Sequence, residues 1–149
     1  MKNERIPHYV DFNIAKWLKE IGFDEYVDCY FYPSSYNQRP IWQDATDANV
    51  DYYDEYPIGV SLRKYKWNSH HPDADFISRP KEHQVIKWFL ENHKLHIFVD
   101  GQYKKGVFSY WWNITGNKKK YYSKLVERFN SPQEAYLGCF YYIKENNLI

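Results

Sequence analysis

The sequence predicts an α+β fold, in which an antiparallel sheet carries about three helices packed on one face. Amphipathic runs with capping residues begin each half of the chain and end the second half, which predicts the helices. Short runs rich in aromatic and β-branched residues lie between them and predict strands. In the second half the order is α-β-β-β-α, and strands that follow one another directly favour antiparallel pairing.

The 149 residues fit a single domain built from two halves. The first half, approximately 9–67, is predicted as α-β-β, and the second, 78–149, as α-β-β-β-α. The polar stretch 68–77 is predicted to link them. Aromatic residues make up 21% of the chain, so rings must fill much of the core, and their number predicts that some of them are exposed.

The first predicted helix has a clear beginning and end. Asp11 is suited to cap its first turn, and Gly22 ends it where a left-handed residue is favoured. Phe23 is then expected to fold back on the last turn. The apolar stripe at i, i+3, i+4 and i+7 consists of Ile14, Trp17, Leu18 and Ile21.

Two strands complete the first half. Tyr26–Tyr32 is rich in aromatic residues and is followed by Pro33, which ends a strand. Ile58–Trp67 alternates imperfectly after Leu62, which predicts a bulge. Between these strands, residues 34–56 show no period, and a long loop that is acidic and rich in tyrosine is expected there.

The second half is predicted to begin with a helix over 80–93, whose start is marked by Ser78 and Pro80. A strand then ends at Asp100–Gly101, and a second strand covers Val107–Thr115. The lysines 118–120 form a turn, and a shorter strand reaches Phe129.

The last helix opens with Ser131-Pro132-Gln133-Glu134, the pattern of a capping box, in which the cap and the third residue satisfy each other's N–H groups. Gly138 in the middle of this helix costs about 1 kcal/mol against alanine, and we interpret it as a mark of close approach by a neighbour.

Charge and cysteine content restrict the classes of protein. The net charge of +1 combines a first half (1–80) at −4 with a second half (81–149) at +5, which is mild for a dedicated nucleic-acid binder. No signal peptide is apparent at the start, and no apolar run approaches the roughly 20 residues that span a bilayer. We therefore expect a cytoplasmic protein whose two cysteines, Cys29 and Cys139, are reduced.

The sequence offers little that indicates catalysis. His70, His71 and Asp73 are the nearest approach to a metal site, but they lie in the predicted linker without further ligands at a recognised spacing. The acidic loop 44–55 lacks the ligand spacing and glycine of a calcium loop. No nucleophile elbow or phosphate-binding glycine loop occurs. We expect a protein that is not an enzyme and that needs no metal or cofactor.

The strand Val107–Thr115 carries the strongest functional signal. One face is predicted to hold Phe108, Tyr110, Trp112 and Ile114, and the other Val107, Ser109, Trp111 and Asn113, so at least one tryptophan is expected to face solvent or a partner. Lysines occupy the neighbouring turns. The candidate binding residues are Phe98, Lys104, Lys105, Tyr110, Trp111, Trp112, Lys118, Lys119, Lys120 and Lys124.

Two kinds of partner fit these residues. Exposed Trp and Tyr are typical anchors of protein interfaces, so the first prediction is binding to another protein, through either the aromatic-rich sheet or the acidic, tyrosine-rich loop. Rings beside cations also stack bases and pair phosphates, so nucleic-acid binding through the aromatic sheet and the lysine-rich turns is the alternative.

Several segments resemble small proteins carried by phages, prophages and mobile elements of gut Bacteroidetes. The resemblance implies a bacterial cytoplasm and an accessory role, and it assigns no role to individual residues. The matching segments are Ala15–Glu25, Pro80, Val85–Phe89, Glu91–Ile97, Ser131–Ala135 and Leu148–Ile149.

Overall fold

The computed structural model describes residues 8–32, 58–70 and 76–149, and it confirms the α+β class. The described residues fall into two compact units: an N-terminal unit, Tyr9–Lys81, and a C-terminal unit, Glu82–Ile149 with His8. Each unit has its own three-stranded antiparallel sheet, rather than the single sheet that was expected. The elements in chain order are α1 Phe12–Glu20, β1 Val27–Phe31, β2 Ile58–Tyr65, α2 Trp67–His70, β3 Ile77–Ser78, α3 Glu82–His93, β4 His96–Lys104, β5 Val107–Thr115, β6 Lys120–Tyr122 and α4 Pro132–Glu145.

Helix α1 begins and ends as the sequence predicts. The Asp11 carboxylate accepts a hydrogen bond from the Ile14 N–H group at 2.9 Å, which satisfies a free donor of the first turn. Gly22 has φ of 91°, a left-handed conformation that favours glycine. The Phe23 N–H group then donates to the Leu18 carbonyl, and the buried Phe23 side chain folds back on the unit.

The N-terminal sheet has the strand order β2-β1-β3. Its register shifts between the pairs Val27–Tyr65 and Cys29–Val60, which places an irregularity in the part of β2 where the sequence predicts a bulge. Gly59 pairs with Tyr30, whose ring occupies the space that a Cβ atom at Gly59 would need. The sheet therefore accommodates a large buried ring by leaving out a side chain beside it.

Trp67 is not the last residue of a strand, as the sequence predicts, but the first residue of the short helix α2. Its indole is fully buried and stacks on the Tyr30 ring with a centroid distance of 3.9 Å. The indole N–H group donates to the Val27 carbonyl at 3.1 Å. Turning the chain at Trp67 buries the largest side chain type with its polar atom satisfied, which outweighs one more residue of strand.

The stretch 68–77, predicted as a linker, carries regular structure at both ends, in α2 and β3. Asn68 and Ser78 tie these ends together: the Asn68 N–H group donates to the Ser78 Oγ, and the Ser78 N–H group donates to the Asn68 Oδ1. Ser78 therefore does not cap α3, which begins at Glu82. His71, Asp73 and the acidic loop 44–55 lie outside the described residues, and the number of domains stays a prediction.

In the C-terminal unit, α4 packs on β4 and β5, and α3 packs on β4 and α4. Strand β5 lies between β4 and β6, so it forms the centre of the sheet. The core of this unit contains aliphatic residues of β4 and β5 together with Phe89 of α3 and Phe140 of α4. The rings of Phe89 and Phe140 are 6.1 Å apart. The order α-β-β-β-α predicted for the second half is confirmed.

Strand β4 does not end at Asp100–Gly101 but continues to Lys104. The turn consists of Lys105 and Gly106, which both have positive φ, 52° and 80°. A two-residue turn of this kind matches the twist of an antiparallel pair, so β4 and β5 stay paired up to it. Gly101 remains inside the strand because the Tyr110 ring of β5 covers it, about where its Cβ would be.

The cap of α4 differs slightly from the predicted box. The Ser131 Oγ accepts from the Glu134 N–H group at 3.2 Å, as expected. The Glu134 carboxylate, however, accepts from the Asn130 N–H group, one residue before the cap. Further along α4, a Cβ atom added at Gly138 would lie 2.7 Å from Cε1 of the Phe129 ring. The neighbour at this glycine is thus an aromatic ring.

We predict that Gly138→Ala destabilises the protein, although the same change in an open helix stabilises by up to about 1 kcal/mol. The Phe129 ring has to shift, and the expected cost is about 1–3 kcal/mol in urea unfolding. In a Phe129→Ala background the new methyl group fits, so Gly138→Ala should there be neutral or stabilising. Additive effects of the two substitutions would contradict this account.

Candidate binding face

The register of the C-terminal sheet assigns its side chains to two faces. Cross-strand pairs such as Ile97–Ile114 and Val99–Trp112 point toward the helices and form the helix face. Pairs such as Phe98–Asn113 and Asp100–Trp111 point the other way. We call this second side the open face. Its side chains are those of His96, Phe98, Asp100, Gln102, Lys104, Val107, Ser109, Trp111, Asn113, Thr115, Lys120 and Tyr122.

Trp112 lies on the helix face and is part of the core. It is 4% exposed, and its ring packs against Tyr142 of α4 with a centroid distance of 4.6 Å. Tyr110 also lies on this face, where its ring covers Gly101. Trp112 therefore helps to hold the sheet against α4, and Tyr110 packs within the sheet.

Trp111 lies on the open face but is not exposed, which corrects the expectation that one tryptophan would face solvent. It is 9% exposed because two cationic side chains cover its ring. The Lys124 Nζ lies 4.8 Å from the ring centroid, and the Arg128 guanidinium carbon lies 5.4 Å from it. These are cation–π distances, and they bury the indole without a second layer of apolar residues.

The two cations come from an interruption of the third strand. Ser123 follows β6, and its Oγ accepts from the Trp112 N–H group while its own N–H group donates to the Trp112 carbonyl, both at 3.1 Å. Phe129 then pairs with Tyr110 through two backbone hydrogen bonds of 2.8 and 2.9 Å. Residues 124–128 leave the strand between these anchors and return. We call them the covering loop.

The tip of the covering loop is apolar and exposed. Leu125 is 82% exposed and Val126 91% exposed. The loop turns tightly, because the N–H groups of Val126 and Glu127 both donate to the Ser123 carbonyl. Arg128 also donates to the Ser109 Oγ at 3.2 Å. An aliphatic pair is thus held in solvent by a loop that is fixed at both ends.

The open face also carries two exposed rings. Phe98 is 37% exposed and Tyr122 is 55% exposed. Both residues are neighbours of Asn113, one on β4 and one on β6, so the two rings lie in one row across the sheet. The row spans two strand spacings, about 9.6 Å.

The lysines do not form one cluster. Lys104 and Lys105 lie at the β4–β5 turn, whereas residues 118–120 follow the other end of β5. A nine-residue strand separates the two groups by roughly 27 Å, since each residue adds about 3.3 Å. Only Lys124 reaches the centre of the open face. The sequence placed these lysines at turns correctly, but consecutive hairpin turns lie at opposite ends of a sheet.

Five of the predicted binding residues lie at the open face: Phe98, Lys104, Trp111, Lys120 and Lys124. Of the three lysines, Lys124 is the one that contacts Trp111. Sequence reasoning missed Tyr122, Arg128 and the pair Leu125–Val126, because the run up to Phe129 was interpreted as a continuous strand. The adjacent Leu125 and Val126 break the alternation of such a strand, and this was the available signal.

Among the described residues, no three His, Cys, Asp or Glu side chains lie close enough together to hold a metal ion. Burial raises the pKa of the Cys29 thiol to about 11 and also raises that of Cys139, so neither is an activated nucleophile. Burial lowers the pKa of His93, whose ring packs on Trp88 at 4.8 Å. His93 is therefore a core-facing side chain rather than a cation at the helix end.

Glu82 is a carboxyl group whose pKa is strongly perturbed. Burial in the first turn of α3 raises its pKa from 4.5 to about 8. The pKa of Tyr136 on α4 is raised as well, first by burial and then by the charge of Glu82. Glu82 is consequently neutral at pH 7 in the folded chain.

No protein-family model, curated protein or solved structure shows significant similarity to this chain. None of the helices in ranges 8–32, 58–70 and 76–149 has the length and hydropathy required to span a lipid bilayer.

We predict that Ser123→Ala destabilises the C-terminal unit by about 1–3 kcal/mol, because the buried Trp112 N–H group loses its acceptor. The measurement is urea unfolding monitored by tryptophan fluorescence. Ser109→Ala is the matched control, since its Oγ serves only an exposed contact with Arg128, and it should cost about 0.5 kcal/mol or less. Equal costs would show that Ser123 does not hold the loop.

We predict that Glu82 makes stability fall as pH rises. Its folded pKa of about 8 exceeds its ordinary value of 4.5, so the folded chain retains a proton that the unfolded chain releases between these values. The melting temperature of Glu82→Gln should equal that of the wild type near pH 4.5 and exceed it progressively up to pH 8. Glu91→Gln, an exposed change on the same helix, controls for net charge. A difference that stays constant with pH would contradict the prediction.

Proposed function

We propose that the protein is a non-catalytic accessory binding protein that binds another protein through the open face and the covering loop. The observation that carries the proposal is the exposure of Leu125 and Val126, 82% and 91%, on a loop fixed at both ends. Aliphatic side chains held in water forgo about 25 cal/mol for each Å² of apolar surface that burial would remove. A partner that covers them recovers this free energy without having to order the loop first.

The charges around the loop tip indicate the chemistry of the partner. Lys124 and Arg128 flank the aliphatic pair and already cover Trp111, while Glu127 is the one acidic residue of the loop. A partner with an apolar pocket and carboxylates on its rim would match both features. Phe98 and Tyr122 extend the contact area across the open face.

Nucleic-acid binding is the second candidate, and one observation favours it. Phe98 and Tyr122 lie in one row and are exposed, which suits the stacking of two unpaired bases, with Lys120 and Lys124 near the same strand. The largest ring of the face, Trp111, is covered by cations, and the remaining lysines lie at opposite ends of the sheet. These two features rank a protein partner first. An accessory role in a bacterial cytoplasm stays a prediction from the sequence.

The test is capture of partners from a bacterial lysate by the tagged full chain, with and without nuclease. We compare the wild type with Leu125→Ser/Val126→Ser, and use Leu90→Ser as the matched control, since Leu90 is 45% exposed on α3. The proposal expects one near-stoichiometric protein that resists nuclease, is reduced at least about tenfold by the loop variant and is retained by the control.

Equal capture by the loop variant and the wild type would contradict the proposed protein-binding site. Recovery of nucleic acid that is lost in Phe98→Ser/Tyr122→Ser, and that falls steeply with salt, would support the second candidate instead. Capture of neither kind of partner would count against both.

A further inference from the structure

The outer edge of β4 is an unused hydrogen-bonding surface in the described part of the chain. β4 has nine residues and lies at the edge of the sheet order β4-β5-β6. Its last five residues, 100–104, are all exposed. A strand edge presents a row of N–H and C=O groups whose natural complement is another strand.

The turn determines which residues point outward. Lys104 and Val107 flank the two-residue turn and form a hydrogen-bonded pair, so the even residues of β4 bond to β5. The backbone groups of Gly101 and Tyr103 therefore point away from β5. Val99 has the same parity, so its backbone groups also point away from β5.

We propose that two copies of this chain pair edge to edge along β4, antiparallel, about a twofold axis at Gln102. In this register Gly101 faces Tyr103 of the second copy, and Tyr103 faces Gly101 of the second copy. Both are outward-pointing residues, so the two pairs exchange four backbone hydrogen bonds. The two sheets then form one six-stranded sheet, with the helix faces of both copies on the same side. This inference does not depend on the proposed function, because the edge is a different surface from the covering loop.

Charge complementarity selects this register. Asp100 and Lys104 lie two residues on either side of Gln102, so each Asp100 is placed directly opposite Lys104 of the second copy. Opposite charges in such cross-strand positions attract, and the twofold axis gives the pair twice. The other charged residue near the strand, Lys105, lies in the turn and outside the pairing.

Neighbouring registers lack this match. An axis at Asp100 puts two carboxylates opposite each other. An axis at Gly101 places Asp100 opposite Gln102 and Lys104 opposite Phe98, so neither charge meets an opposite charge.

Aromatic side chains on the helix face lie on both sides of the proposed junction between the two copies. On the helix face Tyr103 packs on Phe108 with a centroid distance of 4.8 Å, and Tyr103 is still 63% exposed. Pairing places this ring beside Gly101 of the second copy, and the Tyr110 ring that covers that glycine is then its neighbour across the junction. The exposed ring is thereby partly buried.

The test is sedimentation velocity of the full chain over a range of concentrations. The wild type should show a monomer–dimer equilibrium. Asp100→Lys or Lys104→Asp turns two attractive pairs into two repulsive ones, and each should weaken dimerisation by about tenfold or more. The double variant Asp100→Lys/Lys104→Asp restores opposite charges and should return the dissociation constant to within about threefold of the wild type.

Lys105→Asp, with the same charge change in the turn, is the control and should leave the dissociation constant nearly unchanged. Circular dichroism confirms that each variant is folded. A wild-type chain that sediments as a monomer up to its solubility limit would overturn the proposal. The proposal would also be overturned if the single charge reversals left the dissociation constant of the dimer unchanged, or if the double variant failed to restore it.

Discussion

The structure depends on one packing constraint: planar rings must fill a large part of the cores. With 16 Tyr, 9 Phe and 6 Trp but one Met, the chain has few adaptable side chains for irregular gaps. At three places a ring is accommodated by a glycine beside it, and a Cβ atom there would meet the ring at less than 3 Å. The three pairs are Tyr30 with Gly59, Tyr110 with Gly101, and Phe129 with Gly138. These glycines serve close packing more than turning.

The same constraint explains where the tryptophans of the described residues lie. All five that the described ranges contain are buried, with Trp67 in the N-terminal core and Trp112 under α4. Trp111 differs from the others in how it is buried, because side chains of the covering loop cover it from the solvent side. The exposed apolar surface of the open face and the covering loop therefore consists of smaller groups: Phe98, Val107, Tyr122 and the aliphatic loop tip.

Local signals in the sequence were sufficient for much of the fold. The cap at Asp11, the left-handed Gly22, the strand Val107–Thr115 and the cap at Ser131 are each fixed by neighbours within a few residues. Contacts between distant residues were not predictable in this way. The continuation of β4 through Gly101 depends on the Tyr110 ring of β5, and the helix at Trp67 depends on a stack with Tyr30. The covering of Trp111 depends on a loop that looks like a strand in sequence. The candidate site depends on contacts of this second kind, and for that reason the sequence identified Phe98, Trp111 and Lys124 but not their arrangement.

The interruption of the third strand separates the residues that fix the pairing of the sheet from residues that can change without affecting it. Ser123 and Phe129 each hydrogen-bond to β5, so the pairing on both sides of residues 124–128 is set without those residues. Insertions or substitutions between the two anchors leave the register of the sheet unchanged. The insertion or deletion of one residue in β6 itself would instead turn its side chains to the other face. The covering loop is thus the segment of this unit where specificity can diverge between related chains, or be replaced by a grafted peptide, while the scaffold stays the same.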